Sequence, residues 1–578
     1  MKTTVALTAL ESHWGVPEET RFLGEWCKTD ARQERWAAYP PEVLSKRWAN
    51  PEESLRAMDY VVTLGTRLAE SVGRRLDDAY KLGMDTRFYR QMLSPWAISF
   101  TSTLYDRYLA VKDACAALPA PVFLTGENPD DVVPSHDLLG QMGVLANSDT
   151  ANLQLFSLIV GFLGLSQEAL PCAWTKEDLF IGQRRFHSSN KKRFFRVYYA
   201  LQKLTKRKFY IISSVYHAVD FKNLLKKTNY RMLFDDIQEW PAVSVSLDGH
   251  IRRHPLGMGG DEFTELLAYC APRYLPWGLA EAMPAYISAA HKHPAARASG
   301  FLSCFTPYTN LPAQYIAVLA KAPVGIYAHT PFLHRDLSSD MEQTLADRHF
   351  PLPANPFCYP ALPKVTPKKH VLLPLSGMYR YVLRLATFAH PLFQEIGTKL
   401  YLPFLEALDT RIPVSIRKYV ADYGSGSDWL RHCPHIPVHL PKDVPYAQAM
   451  AEARVVVSGD CWYSAVPTDA LAYNRPTVLI QWTALQRLLP EAEPAIQALK
   501  KAGILHNDPE KAAQKINEVY DDAEDWWASA EVQNARRTFL EVFCPSCDDW
   551  ERKWLRELQS MERKWDVPSR EPTAKPTG

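Results

Sequence analysis

The stretch from Ala453 to Gln481, ARVVVSGDCWYSAVPTDALAYNRPTVLIQ, joins two apolar runs through a polar segment. Its pattern predicts a buried strand at RVVVSG, a short helix at TDALAYN and a second strand at PTVLIQ. In an open parallel sheet, ligands bind beyond the carboxyl ends of the strands, where loops lead into helix N-termini. Unpaired N–H groups and the helix dipole favour an anion such as phosphate there. The candidates for this anion site are Ser458, Gly459, Asp460, Ser464, Thr468 and Asp469.

Two interpretations of these residues stay open on the sequence alone. In the functional one, Gly459 can take a positive φ and lets the backbone approach a ligand closely, while Asp469 binds a ribose or sugar hydroxyl. In the structural one, Ser464, Thr468 and Asp469 only cap a helix.

A second candidate site is SIRKYVADYGSG, residues 415–426, which has the pattern of a strand followed by a turn. Arg417 can pair with an acidic group through two hydrogen bonds. Asp422 either accepts a hydrogen bond from a ligand or forms the turn, and its spacing favours the turn.

A third candidate follows the predicted strand VGIY, where His329, His334 and Asp336 lie within eight positions. Histidine is a natural general base near neutral pH, so this group predicts a catalytic base. The same histidines also fit metal ligands or ordinary surface residues. The sequence contains neither a GxGxxG nor a P-loop pattern, and neither HExxH nor GxSxG. Nicotinamide enzymes, P-loop kinases, zinc proteases and serine hydrolases are therefore disfavoured.

Composition narrows the class of protein further. At 578 residues the chain exceeds what one hydrophobic core usually serves, and its net charge of +2 provides no general attraction for nucleic acid. The basic run at 182–208 is interpreted as a solvated helix face. Ten dispersed cysteines fit reduced thiols in the cytoplasm. With no secretory signal and no apolar run of about 18 residues, at most a peripheral membrane association is expected.

The pattern of predicted elements changes along the chain. The first half is helix-rich, with helices at 51–82 and 94–117 and another from Asp149, and with strands from Lys208 and Val324. A clean alternation of strands and helices between 370 and 508 predicts a doubly wound parallel sheet. The predicted divisions are an N-terminal α/β domain at 1–350, a proline-rich linker at 351–369, a Rossmann-like domain at 370–508, C-terminal helices at 509–562 and a disordered tail at 563–578.

Several short segments in order along the chain carry a family resemblance. The chain resembles a family of bacterial surface-glycan transferases, associated with O-antigen biosynthesis, whose C-terminal part is similar to that of GT-B glycosyltransferases. The segments that carry the resemblance are RFLGEWC at 21–27, SPWAISFTSTLYDRYLAV at 94–111, SDTANLQLFS at 148–157, SIRKYVADYG at 415–424 and LAYNRPTVLIQW at 471–482.

This resemblance implies an α/β fold in which two Rossmann-like domains face each other, as in GT-B enzymes. The C-terminal domain is then expected to hold a nucleotide-sugar donor, and the N-terminal domain a glycan or lipid-linked glycan acceptor. Arg417 and the loop from Ser458 to Ser464 would hold the phosphate, and His329 or Asp336 would act as the base. Neither a cofactor nor a metal is expected, because helix ends and arginine can supply positive charge.

The sequence departs from the family pattern at two places in the expected cleft. AHTPFLHRD lacks paired glycines after His329, and GDCWYSAVPTD is bulkier than the small hydroxyl residues expected there. These departures keep open a scaffold that binds a sugar or nucleotide without catalysis. A polyol-phosphate transferase of similar two-domain shape is a further alternative.

Overall fold

The described part of the chain contains three parallel sheets, the helices that connect them and one short antiparallel strand pair. The structure is a computed structural model. It describes residues 3–29, 32–48, 50–174, 179–181, 208–212, 230–234, 241–293, 296, 300–303, 311–320, 322–327, 348–350, 362–366, 369–375, 380–383, 385, 397–418, 429–430, 432–440, 442–459, 466–481, 490–544, 552, 556 and 559–560.

The first sheet and two long helices open the chain. The sheet strands are β1 (Thr3–Ala6), β2 (Thr20–Phe22), β3 (Pro121–Gly126) and β4 (Gln167–Leu170). They lie in the parallel order β2-β1-β3-β4. The helices around this sheet are α1 (Gln33–Trp36), α2 (Pro51–Tyr80), α3 (Thr86–Ala117), α4 (Leu138–Asn147) and α5 (Asp149–Phe162).

Side-chain caps and one glycine explain how α2 and α3 form and pack. The Asn50 side chain accepts a hydrogen bond from the backbone of Glu52 at the start of α2, and Asp85 caps α3 in the same way. A Cβ atom on Gly65 would lie 2.7 Å from Cα of Ile98, so only glycine permits the two helices to approach this closely.

The second sheet lies later in the first half. Its strands are β6 (Lys208–Ile212), β7 (Tyr230–Phe234), β9 (Gly300–Ser303), β10 (Val324–Tyr327) and β11 (Arg348–Phe350), and the antiparallel pair is β5 (Phe180–Ile181) with β8 (Val243–Ser244). The order is β11-β10-β9-β6-β7, again all parallel. The remaining helices of the first half are α6 (Gly249–Arg253), α7 (Glu262–Tyr274), α8 (Met283–Lys292) and α9 (Leu311–Leu319).

The third sheet carries the alternating pattern of the second half. Its strands are β12 (Val371–Leu375), β13 (Val414–Lys418), β14 (Val438–His439), β15 (Val455–Ser458), β16 (Thr477–Ile480) and β17 (Leu505–His506). They are all parallel in the order β14-β13-β12-β15-β16-β17. Numbered within the sheet, this is the order 3-2-1-4-5-6 of a doubly wound Rossmann-type sheet.

Helices cover both faces of the third sheet. They are α10 (Leu402–Ala407), α11 (Tyr446–Glu452), α12 (Val466–Ala472), α13 (Glu493–Lys501), α14 (Pro509–Val519), α15 (Ala523–Ala528) and α16 (Ala530–Phe543), with a π-helical turn at Gly397–Tyr401 before α10. Residues of α10 and α14 share one core with Ile416 and Val457, whereas α11 and α12 pack on Leu372 and Val456. Alternate residues of each strand are thus buried on opposite faces.

A short segment after β12 leaves the third sheet and packs into the first half. We call residues 380–383 and 385 the strap. The Tyr381 N–H donates to the carbonyl of Ala146 at 3.1 Å, and Arg107 donates through Nη1 to the carbonyl of Val382 at 2.7 Å. Leu383 and Tyr381 lie in the core of the first half, fully buried. The strap therefore joins the two halves of the chain through both backbone and apolar contacts.

The predicted class, a helix-rich α/β fold with parallel Rossmann-type sheets, is confirmed. Within the C-terminal helices predicted at 509–562, the structure describes α14, α15 and α16 up to Phe543, and most of 545–562 lies outside the described residues. Most of the proline-rich segment at 351–369 and all of the tail at 563–578 lie outside the described residues.

Candidate functional site

The candidate site lies where the order of the third sheet reverses, between β12 and β15. The helices that follow these two neighbouring strands pack on opposite faces of the sheet. In doubly wound sheets this point at the carboxyl ends of the strands is the crevice where ligands bind. At this edge β12 ends at Leu375 and β15 ends at Ser458. The strand predicted from RVVVSG therefore does end at the position where a doubly wound sheet binds its ligand.

Ser458 and Gly459 lie at the carboxyl end of β15. Ser458 is fully buried, and Gly459 follows it directly. A Cβ atom on Gly459 would lie 2.4 Å from Cδ2 of Leu400 and 3.1 Å from Cε1 of Tyr401. Gly459 does not adopt the positive φ that glycine permits. Glycine is needed here because the π-helical turn packs directly against the backbone.

Thr468 and Asp469 occupy the third and fourth positions of α12. Thr468 is therefore within the helix and not at its N-cap position. Its side chain is fully buried, and its Oγ1 has no hydrogen-bond partner among the residues that the structure describes. A buried hydroxyl without a partner carries a desolvation cost, which a ligand group or a water at this position would relieve.

Arg417 and Asp469, which are 52 positions apart, both lie near Tyr446 at the start of α11. Arg417 is 6% exposed, donates through Nε to the Val444 carbonyl at 2.9 Å, and lies with its guanidinium carbon 5.3 Å from the centre of the Tyr446 ring. Burial, followed by the nearby Asp469 carboxylate, raises the pKa of Tyr446 well above its ordinary value.

This arrangement holds a fixed positive charge close to the carboxyl edge. The backbone carbonyl and the aromatic ring restrict the Arg417 side chain to one orientation, so little reorganisation is needed when negative charge develops nearby. Tyr446 is not among the candidate site residues predicted from the sequence. No local signal separates Tyr446 from a core tyrosine, because its neighbours come from distant parts of the chain.

A cavity of about 890 Å³ lies beside β13. It is lined by Arg417 together with Lys369, His370 and Pro413, which precede β12 and β13. Ser458, Gly459, Thr468 and Asp469 do not line it. This cavity is thus distinct from the crevice between β12 and β15, although it reaches the same arginine.

The other predicted site residues lie outside the described part of the chain. They are His329, His334, Asp336, Asp422, Asp460 and Ser464. Within the described ranges, no group of three His, Cys, Asp or Glu side chains is placed to hold a metal ion. None of the helices in those ranges combines the length and the apolar character that crossing a bilayer requires.

The fold and the crevice place the chain among the Rossmann-type α/β proteins. The sequence profile of a family described as LIC12162 family transferase matches residues 3–313 and 340–558, which is most of the chain. The chain therefore belongs to the LIC12162 family of transferases. No curated protein sequence matches it significantly.

Several solved structures show a distant likeness. A complex of Staphylococcus aureus MnaA with UDP is 12% identical, with 63% of this chain and 99% of that chain covered at a TM-score of 0.36. A mutant of Thermobaculum terrenum O-GlcNAc transferase is 10% identical over 89% and 98% of the two chains at a TM-score of 0.36. A variant of the wall teichoic acid polymerase TagF is 10% identical over 65% and 94% at a TM-score of 0.28. The fold assignment rests on the strand order, since these scores are low.

Proposed function

We propose that the chain transfers a sugar from a nucleotide-activated donor to a glycan acceptor, such as an O-antigen or a related surface polysaccharide. The observation that carries this proposal is the reversal of strand order between β12 and β15, with Ser458 and Gly459 at the crevice. Membership of a transferase family supports a group-transfer reaction at this crevice. The segments at 415–424 and 471–482 resemble those of surface-glycan transferases, which supports a sugar as the transferred group.

In this reaction the bond between the sugar C1 and the departing phosphate oxygen breaks, and a bond forms between C1 and an acceptor hydroxyl oxygen. The departing phosphate gains negative charge, which preorganised donors and cations stabilise. Arg417 contributes that positive charge, and the residues from Ser458 to Ser464 with Thr468 bind the phosphate. Asp469 binds a sugar or ribose hydroxyl. The proposal needs no metal ion, because Arg417 and backbone N–H groups supply the charge.

The acceptor hydroxyl loses its proton to a general base as it attacks. His329 or Asp336 takes this role in the proposal, with His334 as the third candidate, and all three follow β10 in sequence. Because β10 belongs to the second sheet, the acceptor is assigned to the first half of the chain. The site of action is the cytoplasm, with at most a peripheral association with the membrane that carries a lipid-linked acceptor.

A thermal-shift screen of the purified full chain with UDP, GDP, CDP and CMP tests the donor assignment. A ligand that binds only the folded state stabilises it by about 2.7 kcal/mol at a concentration of 100 times its Kd. We expect one of these nucleotides to raise the melting temperature. The matching nucleotide sugars are then incubated with the enzyme and candidate acceptors, and the product is identified by mass spectrometry. A phosphate in the new linkage would contradict sugar transfer, and binding without product would contradict catalysis.

A further inference from the structure

The carboxylate of Asp149 joins three separate parts of the chain. Its Oδ1 accepts a hydrogen bond from the Tyr381 hydroxyl at 2.6 Å and another from the Ala9 N–H at 3.3 Å. Its Oδ2 lies 3.1 Å from Nη2 of Arg380 and 3.6 Å from Nη1 of Arg32. One side chain at the start of α5 thus contacts the loop after β1, the residue before α1 and the strap.

Asp149 is suited to this role by its position and its surroundings. It is the first residue of α5, where the helix dipole favours a negative charge. The side chain is 9% exposed, so the two guanidinium groups compensate for the loss of hydration. Removal of one partner would leave a buried charge without full compensation, which makes the attachment sensitive to single substitutions.

The contacts of Asp149 link the carboxyl edges of two sheets. Ala9 lies three residues beyond Ala6, the last residue of β1, so Asp149 lies at the carboxyl edge of the first sheet. Arg380 lies five residues beyond Leu375, the last residue of β12 at the crevice of the third sheet. Five residues of extended chain span at most about 18 Å. Leu375, at the end of β12, therefore lies within about 18 Å of Arg380, whose side chain contacts Asp149.

We propose that Asp149 is a positioning residue, which acts through Arg380 and Tyr381 to hold the first half of the chain at the crevice of the third sheet. Asp149 does not touch the substrate in this proposal. The consequence for sugar transfer rests on the proposed function, whereas the attachment itself does not. Both parts are therefore tested separately.

Hydrogen–deuterium exchange of the full chain tests the attachment without any ligand. Tyr381→Phe removes the bond to Asp149 and keeps the ring, and we expect the amide of Tyr381 to exchange about 10-fold to 100-fold faster. Tyr108→Phe is the matched control, because its hydroxyl also donates to a carboxylate, that of Glu262, at 2.6 Å. Exchange in the strap should not change in this control. Equal exchange in the wild type and in Tyr381→Phe would overturn the proposal.

Steady-state kinetics with the donor found by the thermal-shift screen test the consequence for transfer. Tyr381→Phe and Asp149→Asn should lower kcat about 10-fold to 100-fold, while the KM for the donor stays within about twofold. The reason is that a small displacement of the acceptor relative to the donor slows the transfer step. A rise in the KM for the donor at constant kcat would overturn the positioning role. If the wild type turned over no nucleotide sugar, the proposed function would fail, and the exchange experiment would still decide the attachment.

Discussion

The hydroxyl of Tyr381 donates to Oδ1 of Asp149 over 2.6 Å, although 232 positions separate the two residues. This bond connects a segment that follows the first strand of the third sheet to the carboxyl edge of the first sheet. The crevice at β12 and the first half of the chain are consequently neighbours in the fold. A transfer reaction between a donor on one sheet and an acceptor held by the other half requires such an arrangement.

The same tyrosine gives the protein a defined sensitivity to high pH. Burial, followed by the charge of Asp149, raises the pKa of Tyr381 well above its ordinary value of about 10. Above pH 10 the unfolded chain releases this proton and the folded chain keeps it, so stability is full below about pH 10 and falls as the pH rises further. Above pH 10, the Tyr381 proton contributes up to about 1.4 kcal/mol per pH unit to the fall in the free energy of unfolding, and Tyr381→Phe should abolish this contribution. Urea unfolding at several pH values measures it, and identical slopes for both proteins would refute it.

Arg417→Ala should reduce turnover of the nucleotide sugar about 100-fold to 1000-fold, the usual effect of losing one preorganised group that stabilises developing negative charge. Steady-state kinetics on the folded variant, verified by circular dichroism, measure this loss.

Arg475→Ala serves as the control for this experiment. Arg475 also donates to a backbone carbonyl, that of Ala453, but it precedes β16 at the opposite edge of the sheet. Its loss should lower the melting temperature and leave kcat unchanged. Equal losses of turnover in both variants would show that Arg417 acts only through stability.

Gly459→Ala should destabilise the protein by about 1–3 kcal/mol, because the new methyl group would overlap Leu400 in a packed interior. Gly161→Ala is the matched control within α5, since a methyl group there meets no atom within 4 Å. This second substitution should stabilise the helix by about 0.5–1 kcal/mol. Thermal unfolding compares the two, and a Gly459→Ala variant as stable as the wild type would contradict the packing described.

Thr468→Val keeps the shape of the side chain and removes its buried hydroxyl. If that hydroxyl binds the nucleotide, affinity should fall about 5-fold to 10-fold, while the melting temperature stays constant or rises. Thr477→Val should lower the melting temperature and leave the affinity unchanged, because the Thr477 hydroxyl already donates to the Arg475 carbonyl at 2.7 Å. Calorimetry and thermal unfolding of both variants measure the difference. Unchanged affinity in Thr468→Val would remove Thr468 from the site.

The sequence predicted those parts of the fold that local patterns determine. Runs of β-branched residues identified β13, β15 and β16, and their alternation with helices predicted the doubly wound sheet. The strand β1 was missed, because its sequence TTVA is short and half polar. The second sheet of the first half was recognised only through β6 and β10.

Contacts between residues that are far apart in the sequence could not be predicted from local sequence patterns. Gly459 follows the carboxyl end of β15 directly, and a glycine is required there because Leu400, 59 positions earlier, packs against it. The convergence of Arg417 and Asp469 on Tyr446 depends on how α11 and α12 lie side by side on one face. The Asp149 attachment depends on the docking of the strap, which the sequence alone does not indicate.

Calorimetric titration of the full chain with the nucleotide selected by the thermal-shift screen tests the central claim most directly. The claim is that the crevice between β12 and β15 binds the departing nucleotide of an activated sugar. We predict one binding site per chain in the wild type and an affinity at least about 10-fold weaker in Arg417→Ala, because a charged hydrogen-bonding group is lost. Binding of equal strength in the two proteins, or no binding of any nucleotide by the wild type, would contradict the claim.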